Sequence, residues 1–314
     1  MRILVTGGTG LVGRHLLPRL VEAGHTALVL SRQANPPLPA GCTALSGDPT
    51  QDGPWLDQIG DCDAVINLAG ENLLGRRWRR SFKQRLISSR IESTRRVAEA
   101  LARNPHRTGG APKILVSASA IGYYGPTDRE ELDEESPAGN DFLATLCVDW
   151  EKAAQPARDA GVRVVHPRIG MVCDRKEGAL PKLARPFRWF VGGPVGDGKQ
   201  WISWIHIEDL VGLIMFALER PEVSGPINAT APEPLTNWGI SALLAHILHR
   251  PNWMRVPKFM LRILLGEAAT VVVNGQRVIP RQALKLGYVF RYAEPEPALR
   301  DLLNRPKPAD PAAG

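Results

Sequence analysis

The feature that most constrains the fold is Val5-Thr6-Gly7-Gly8-Thr9-Gly10-Leu11-Val12-Gly13. Arg2-Ile3-Leu4-Val5 precedes it as a short apolar run, and residues 11–23 follow with apolar residues at helical spacing. The glycines therefore sit where a buried strand turns into a helix, which separates a dinucleotide loop from a chance pattern. Gly7 allows the tight turn. Gly10 lets backbone N–H groups approach a pyrophosphate, and Gly13 lets the helix pack closely on the strand. The helix N-terminus, at Thr9, Gly10, Leu11 and Val12, then offers free N–H groups and a positive dipole end to an anion.

The spacing Gly-x-x-Gly-x-x-Gly resembles the short-chain dehydrogenase/reductase superfamily, above all its extended members. Strands are expected at 26–30, 43–46, 63–68, 113–117, 162–166 and 226–230, alternating with helices. That pattern indicates an α/β, Rossmann-like doubly wound parallel sheet with a smaller, mainly helical C-terminal substrate domain. The first helix has Leu16, Leu17, Leu20 and Val21 inward, Pro18 as an expected kink and Gly24 as its stop. Residues 83–104 form a long helix with Leu86, Ile87, Ile91, Val97, Ala98 and Leu101 inward. Residues 176–191 are expected to be mostly helical, and the acidic run Asp128 to Glu135 to be a solvated loop. The expected division places the cofactor-binding domain at 1–173, with 196–230 returning to it. Residues 174–195 and 231–304 form the substrate-side domain, and 305–314 a flexible tail.

The second strand ends in Ser31-Arg32. An acidic residue there would suit the ribose 2′-hydroxyl of NAD; arginine suits the 2′-phosphate of NADP, with the Ser31 hydroxyl beside it. NADP(H) is therefore the expected cofactor. Ala69 and Gly70, at the exit of the fourth strand, are small enough for close cofactor approach. Arg90 either reaches the cofactor phosphates or is solvated. Arg168 either supports the nicotinamide loop or holds the chain structurally. His206 lies in Trp204-Ile205-His206-Ile207-Glu208-Asp209, either as a catalytic residue or as a packed structural one.

The 314 residues carry a net charge of +7, much of it in Arg76-Arg77-Trp78-Arg79-Arg80-Ser81-Phe82-Lys83-Gln84-Arg85. Taken alone that run suits nucleic acid; a solvated helix face or a field for a phosphorylated cofactor suits it as well. Nucleic acid is not expected as a partner. No apolar run approaches about 18 residues, so no membrane partner is expected. Cys42, Cys62, Cys147 and Cys173 show no Cys-x-x-Cys spacing, so no metal site or disulfide framework is indicated. A strand starting at residue 2 leaves no room for a signal peptide, and a cytoplasmic location is the expectation.

Further motifs narrow the resemblance. They are Thr6-Gly7-Gly8-Thr9-Gly10, Asn67-Leu68-Ala69-Gly70-Glu71-Asn72, Ser89-Arg90-Ile91-Glu92-Ser93-Thr94, Trp150-Glu151, the segment 204–210 and Gly275-Gln276-Arg277-Val278-Ile279-Pro280. Together they resemble the atypical short-chain reductases known as epimerase-family proteins, some bacterial members of which are labelled cell-division inhibitors. The resemblance implies cofactor contacts from the glycine loop, Ser31, Arg32, Asp48 (adenine), Leu68, Ala69, Arg90 and the backbone near Val172. It implies that a Ser in the loop after the fifth strand holds the substrate oxygen, Ser119 first and Ser117 second. Tyr124-Gly125 resembles the Tyr-Gly of epimerases.

One departure stands out. The superfamily places Tyr-x-x-x-Lys shortly before Glu151, where the tyrosine is the general acid/base. Leu143 and Cys147 occupy the best-aligned positions here. Its absence is itself a trait of the epimerase-family proteins. Two functions stay open: an NADP(H)-dependent oxidoreductase or epimerase in which Ser119 orients the substrate while Tyr123, Tyr124 or His206 moves the proton, or a non-catalytic NADP(H)-sensing regulatory or cell-division-associated protein. The substrate is a small molecule of unknown identity. A homodimer is expected to pair through the helices at 83–104 and 141–160.

Overall fold

A computed structural model describes residues 1–127 and 131–304. Asp128, Arg129 and Glu130 of the acidic run, and the tail 305–314, lie outside the described residues. Seven parallel strands form the centre: β1 (Arg2–Thr6), β2 (Thr26–Ser31), β3 (Cys42–Ser46), β4 (Ala64–Asn67), β5 (Ile114–Ser117), β6 (Arg163–Ile169) and β7 (Gly225–Ala229). Their order is β3-β2-β1-β4-β5-β6-β7, and Ser119–Ala120 adds a short extra pairing on β6.

The named helices are α1 (Leu11–Glu22), α2 (Arg80–Arg103), α3 (Phe142–Lys152), α4 (Leu180–Arg188), α5 (Ile207–Glu219), α6 (Asn237–Leu248), α7 (Lys258–Leu265) and α8 (Pro295–Asn304). Strand residues alternate between two cores because successive side chains point to opposite faces. Ile3, Val5, Val29 and Ile66 pack with Leu16, Leu17 and Leu20 of α1 and Ile214 of α5. Leu4, Leu28, Val65 and Leu115 pack with Val97 and Leu101 of α2 and Trp55. Both faces are covered, as an all-parallel sheet requires. A third core joins α4, α6 and α8 through Leu180, Phe187, Trp204, Leu244 and Leu299.

The chain winds from β1 out to β3, then returns to the other side of β1 at β4. The crevice beyond the C-terminal ends of β1 and β4 is thus the switch point where open α/β sheets bind ligands. A buried polar network marks it. Thr6 Oγ1 donates to Asn67 Oδ1 at 2.6 Å and accepts the Ala69 N–H at 3.2 Å. Asn67 Nδ2 and Trp150 Nε1 both donate to Thr94 Oγ1, at 2.7 and 2.9 Å. Ser117, the second-choice substrate serine, is fully buried in this network beside Thr94.

Several local expectations are corrected. α1 runs through Pro18 without a break, and Val21 is only half-buried. Ile87 is exposed; the inward positions of α2 are instead shared by Arg90, Ser93 and Thr94, the last of which joins the polar network. Only Leu180–Arg188 of the expected 176–191 helix is helical, because the Asp174 carboxylate turns the chain by accepting the N–H groups of Lys176 and Glu177. Glu134 is not solvated: it is buried and accepts the N–H groups of Asn228 and Gln282. The neighbouring Glu131–Leu132 pairs with Arg277–Val278. In the basic run, Trp78 and Phe82 are buried, so they cannot stack on bases. Arg77 instead donates to the carbonyls of Ile263 and Leu264.

Candidate active site

The glycine loop builds a cradle. Gly7 has φ +68°, and a Cβ there would lie 2.7 Å from the Leu68 carbonyl carbon and oxygen. Only glycine fits both the left-handed backbone and that approach of the β4 exit. Gly13 presses on the backbone of Gly8, so it lets α1 pack on its own loop rather than on the strand. Gly10 is exposed and donates its N–H to Gly7 O at 2.9 Å. No side chain caps α1, so the first-turn N–H groups at Leu11, Val12 and Gly13 are left for an anion.

Most of the other expected cofactor residues lie in the glycine loop and at the ends of β2, β3 and β4. Ser31 is buried with Oγ accepting the Gln33 N–H at 3.1 Å, and Arg32 is exposed beside it. Gly47 N–H bonds Ser31 O, which brings the β3 exit, and Asp48, next to them. Asp48 Oδ1 accepts the Thr50 N–H and hydroxyl at 2.8 and 2.7 Å. Thr9, Leu11, Val12 and Leu68 are half-buried, Ala69 is buried and Gly70 is exposed. A Cβ on Gly70 would meet the Arg90 guanidinium carbon at 3.3 Å.

Arg90 is not solvated. It is buried, bonded to the carbonyls of Leu86 (3.2 Å) and Glu71 (2.9 Å), and lies 5.2 Å from the Trp150 ring centre. Among the described residues no carboxylate forms an ion pair with it. Burial lowers its pKa accordingly. A buried cation held only by carbonyls is costly without an anion. Val172 pairs with Ile205, and a Cβ on Gly178 would meet the Val172 carbonyl oxygen at 3.2 Å and Leu11 Cδ2 at 3.3 Å. His15–Asp174 (3.1 Å) and Arg14–Glu177 then strap this segment across α1. The glycine cradle, the uncapped helix and Arg90 together fit a dinucleotide pyrophosphate.

Beyond β5 the structure assembles a second cluster. Glu151 on α3 accepts Ser119 Oγ (2.7 Å) and Arg168 Nε (2.8 Å) on one oxygen, and Arg168 Nη2 (2.9 Å) on the other. Arg168 Nη1 donates to Tyr124 Oη at 3.0 Å, and its guanidinium lies 3.5 Å from the Tyr123 ring centre. Tyr124 Oη donates to Asn228 Oδ1 at 2.7 Å. Burial works against the Glu151 charge, but the bonds and charge of Arg168 and the Ser119 hydroxyl hold its carboxyl below the usual range. Burial pushes the Tyr124 hydroxyl up to about 12 despite Arg168. Arg168 is thus tied to Glu151 and the two tyrosines, which supplies the structural alternative for this residue.

This geometry sorts the expected proton carriers. Ser119 is brought to the site, but its one proton goes to Glu151, so it meets a further group as an acceptor. Tyr124 is brought there too, fully engaged at its hydroxyl. Tyr123 is half-buried with its ring fixed under Arg168. His206 is not part of the cluster. It caps α5 by accepting the Glu208 N–H (3.1 Å), stacks on Tyr292 with ring centres 3.8 Å apart, and faces Asp301. Leu143 and Cys147 do face the loop after β5, lying 3.4 and 3.6 Å from where a Gly122 Cβ would be. Leucine carries no proton, and burial pushes the Cys147 thiol up to about 12.

Glu151 was not among the expected site residues, although Trp150-Glu151 is one of the family-like motifs. An acid on the inward side of α3 was the available signal. Asn228 and Glu134 gave none, since their partners are distant in sequence.

The profile of the NAD dependent epimerase/dehydratase family matches residues 3–229, and one described as a domain of unknown function (DUF1731) matches 256–302. The chain is 40% identical to the chloroplastic epimerase family protein SDR39U1 homolog of Arabidopsis thaliana, over 97% of this chain and 87% of that protein. It is 38% identical to epimerase family protein YfhF of Bacillus subtilis, over 96% and 98%. The crystal structure of human epimerase family protein SDR39U1 with NADPH superimposes with a TM-score of 0.85 at 35% identity, covering 97% of this chain and 99% of that one. With its Rossmann-like sheet and glycine cradle, the chain belongs to the NAD dependent epimerase/dehydratase family.

Proposed function

We propose that this protein is an NADP(H)-binding oxidoreductase or epimerase of the extended short-chain type that works without Tyr-x-x-x-Lys on a small-molecule substrate. The observation that carries the reading is the uncapped, glycine-cradled N-terminus of α1, flanked by Ser31-Arg32 and by the buried Arg90. NADP(H) would supply a hydride donor or acceptor. Gly10 makes room for its pyrophosphate, Gly7 and Gly13 hold the turn and the packing of the loop on α1, and Arg90 adds charge to the N–H groups of Leu11 and Val12. Ser31 and Arg32 bind the 2′-phosphate, which favours NADP over NAD. Asp48 takes the adenine edge, while Leu68, Ala69, Gly70 and Val172 line the cofactor with backbone and small groups. The human relative's NADPH supports this choice.

On the substrate side, the Ser119 oxygen accepts a bond from a substrate hydroxyl while Glu151 and Arg168 fix its rotamer. Tyr123, half-buried with its ring under the Arg168 guanidinium, is the proton carrier in place of the missing tyrosine. Residues 1–173 with 196–230 form the cofactor domain in this reading, and 174–195 with 231–304 the substrate side.

The test follows NADPH absorbance with a panel of carbonyl compounds and sugar nucleotides. Turnover that falls about 100-fold or more in Tyr123→Phe, with NADPH affinity unchanged, supports the assignment. The second reading, a non-catalytic NADP(H) sensor, draws on Leu143 and Cys147. NADPH binding with no turnover across the panel would favour it.

A further inference from the structure

The segments 179–196 and 234–266 contain seven Lys and Arg residues and no Asp or Glu. The fold brings them together. Gly192 O accepts the N–H groups of Trp253 and Met254, Trp253 Nε1 donates to Phe190 O at 2.9 Å, and Val195 pairs with Val256. α7 follows directly through Pro257.

This face projects apolar side chains outward. Trp189 is 70% exposed, Trp253 64%, Ile263 68% and Leu264 69%, with Phe190 and Phe259 also exposed. No residue of α7 is buried, and Phe259, Met260, Ile263 and Leu264 recur at the spacing of a single helix face. Phe190 has φ +62°, a left-handed backbone that a bulky residue adopts only at a cost. Arg250 lies 4.4 Å from its ring centre. A monomer gains nothing in stability from holding aromatic rings in water, so the patch marks a docking surface.

We infer that this face docks on an anionic lipid bilayer, with α7 lying in the interface and the rings of Trp189, Phe190 and Trp253 beside it. Charge selects this occupant. Lys182, Arg185, Arg188, Arg255 and Arg262 are exposed around the apolar residues. Nearby acids are already engaged: Asp197 with Lys258 and Glu267 with Lys83. A two-fold pairing with a second copy would set the same acid-free basic surface against itself, which repels. The apolar groups stand on α7, none of whose residues is buried, and on the loops at 189–191 and 253–254. Basic flanks, interfacial tryptophans and an amphipathic helix are what a surface-bound segment needs. Surface docking requires no spanning helix, and none of the described helices is long and apolar enough to cross a membrane. The expectation of no membrane partner rested only on the lack of a span, and docking revises it.

The test is flotation of the full chain with phosphatidylcholine vesicles, with or without about 30% phosphatidylglycerol, at about 0.15 M salt. The wild type floats with the anionic vesicles and stays soluble with the neutral ones. Each basic residue at such a surface is worth about five-fold in partitioning, so R185E/R262E binds at least ~25-fold more weakly. I263S/L264S loses at least ~10-fold through the apolar contacts. Both variants keep wild-type affinity for NADPH, which separates this result from the cofactor reading. The inference is overturned if the wild type stays soluble with anionic vesicles, or if I263S/L264S floats as well as the wild type. It is equally overturned if sedimentation shows a dimer that I263S/L264S dissociates.

Discussion

Replacing Glu151 with Gln isolates the interaction on which the substrate-side cluster depends. The pair is buried: Arg168 is 4% exposed at its side chain and Glu151 14%. Gln keeps the shape and one acceptor oxygen, but it removes the charge and turns an NH2 donor toward a guanidinium that also donates. Arg168 is then a buried cation with no counter-charge, a loss of about 3–5 kcal/mol. The assay is the urea midpoint of E151Q, R168M and the double variant E151Q/R168M. Replacing both charges removes the uncompensated ion, so the double variant should be at least about 2 kcal/mol more stable than the sum of the singles implies. The pH dependence has a definite sign. The folded carboxyl titrates below its unfolded value, so the Glu151 contribution is complete above about pH 4.3 and fades as pH falls through the lower folded value. An E151Q cost under about 1 kcal/mol, or additive singles, would refute the argument.

Other perturbations test neighbouring links. Gly7→Ala puts a Cβ against the Leu68 carbonyl in a left-handed backbone; thermal unfolding should show a loss of at least about 1–2 kcal/mol, and titration a loss of NADPH binding. Burial pushes His166 down to about 4, with Nδ1 against Ser117 O. Stability should therefore fall by about 3 kcal/mol as pH drops from about 6.5 to 4, and His166→Asn should flatten that slope in urea titrations. Tyr124→Phe strands Asn228 Oδ1 and Arg168 Nη1 and should cost about 1–3 kcal/mol at the urea midpoint, whereas Tyr123→Phe should cost under about 0.5 kcal/mol.

The sheet and the cofactor crevice were legible because both rest on local pattern. A strand, three spaced glycines and a helix lie within residues 2–22, and Ser31-Arg32 follows at the next strand end. The substrate side was less legible because its bonds join distant residues. Ser119 was expected to hold a substrate oxygen, and only the fold shows that Glu151, on α3, takes its proton. Arg168 showed its role only where β6 carried it past α3 and the Tyr123-Tyr124 turn. His206 looked chemically available, but its backbone position makes it a helix cap. Ile87 is exposed where periodicity turned it inward, and Arg90 is buried: a hydrophobic count cannot register a cation held inside by backbone carbonyls.

The most direct measurement is calorimetric titration with NADPH, NADP, NADH and NAD on the wild type and Arg32→Ala. The account predicts that the wild type prefers the phosphorylated pair, and that Arg32→Ala weakens only that pair, by about 1.5–3 kcal/mol. Equal loss for all four, or no binding of any at about millimolar concentration, would contradict it.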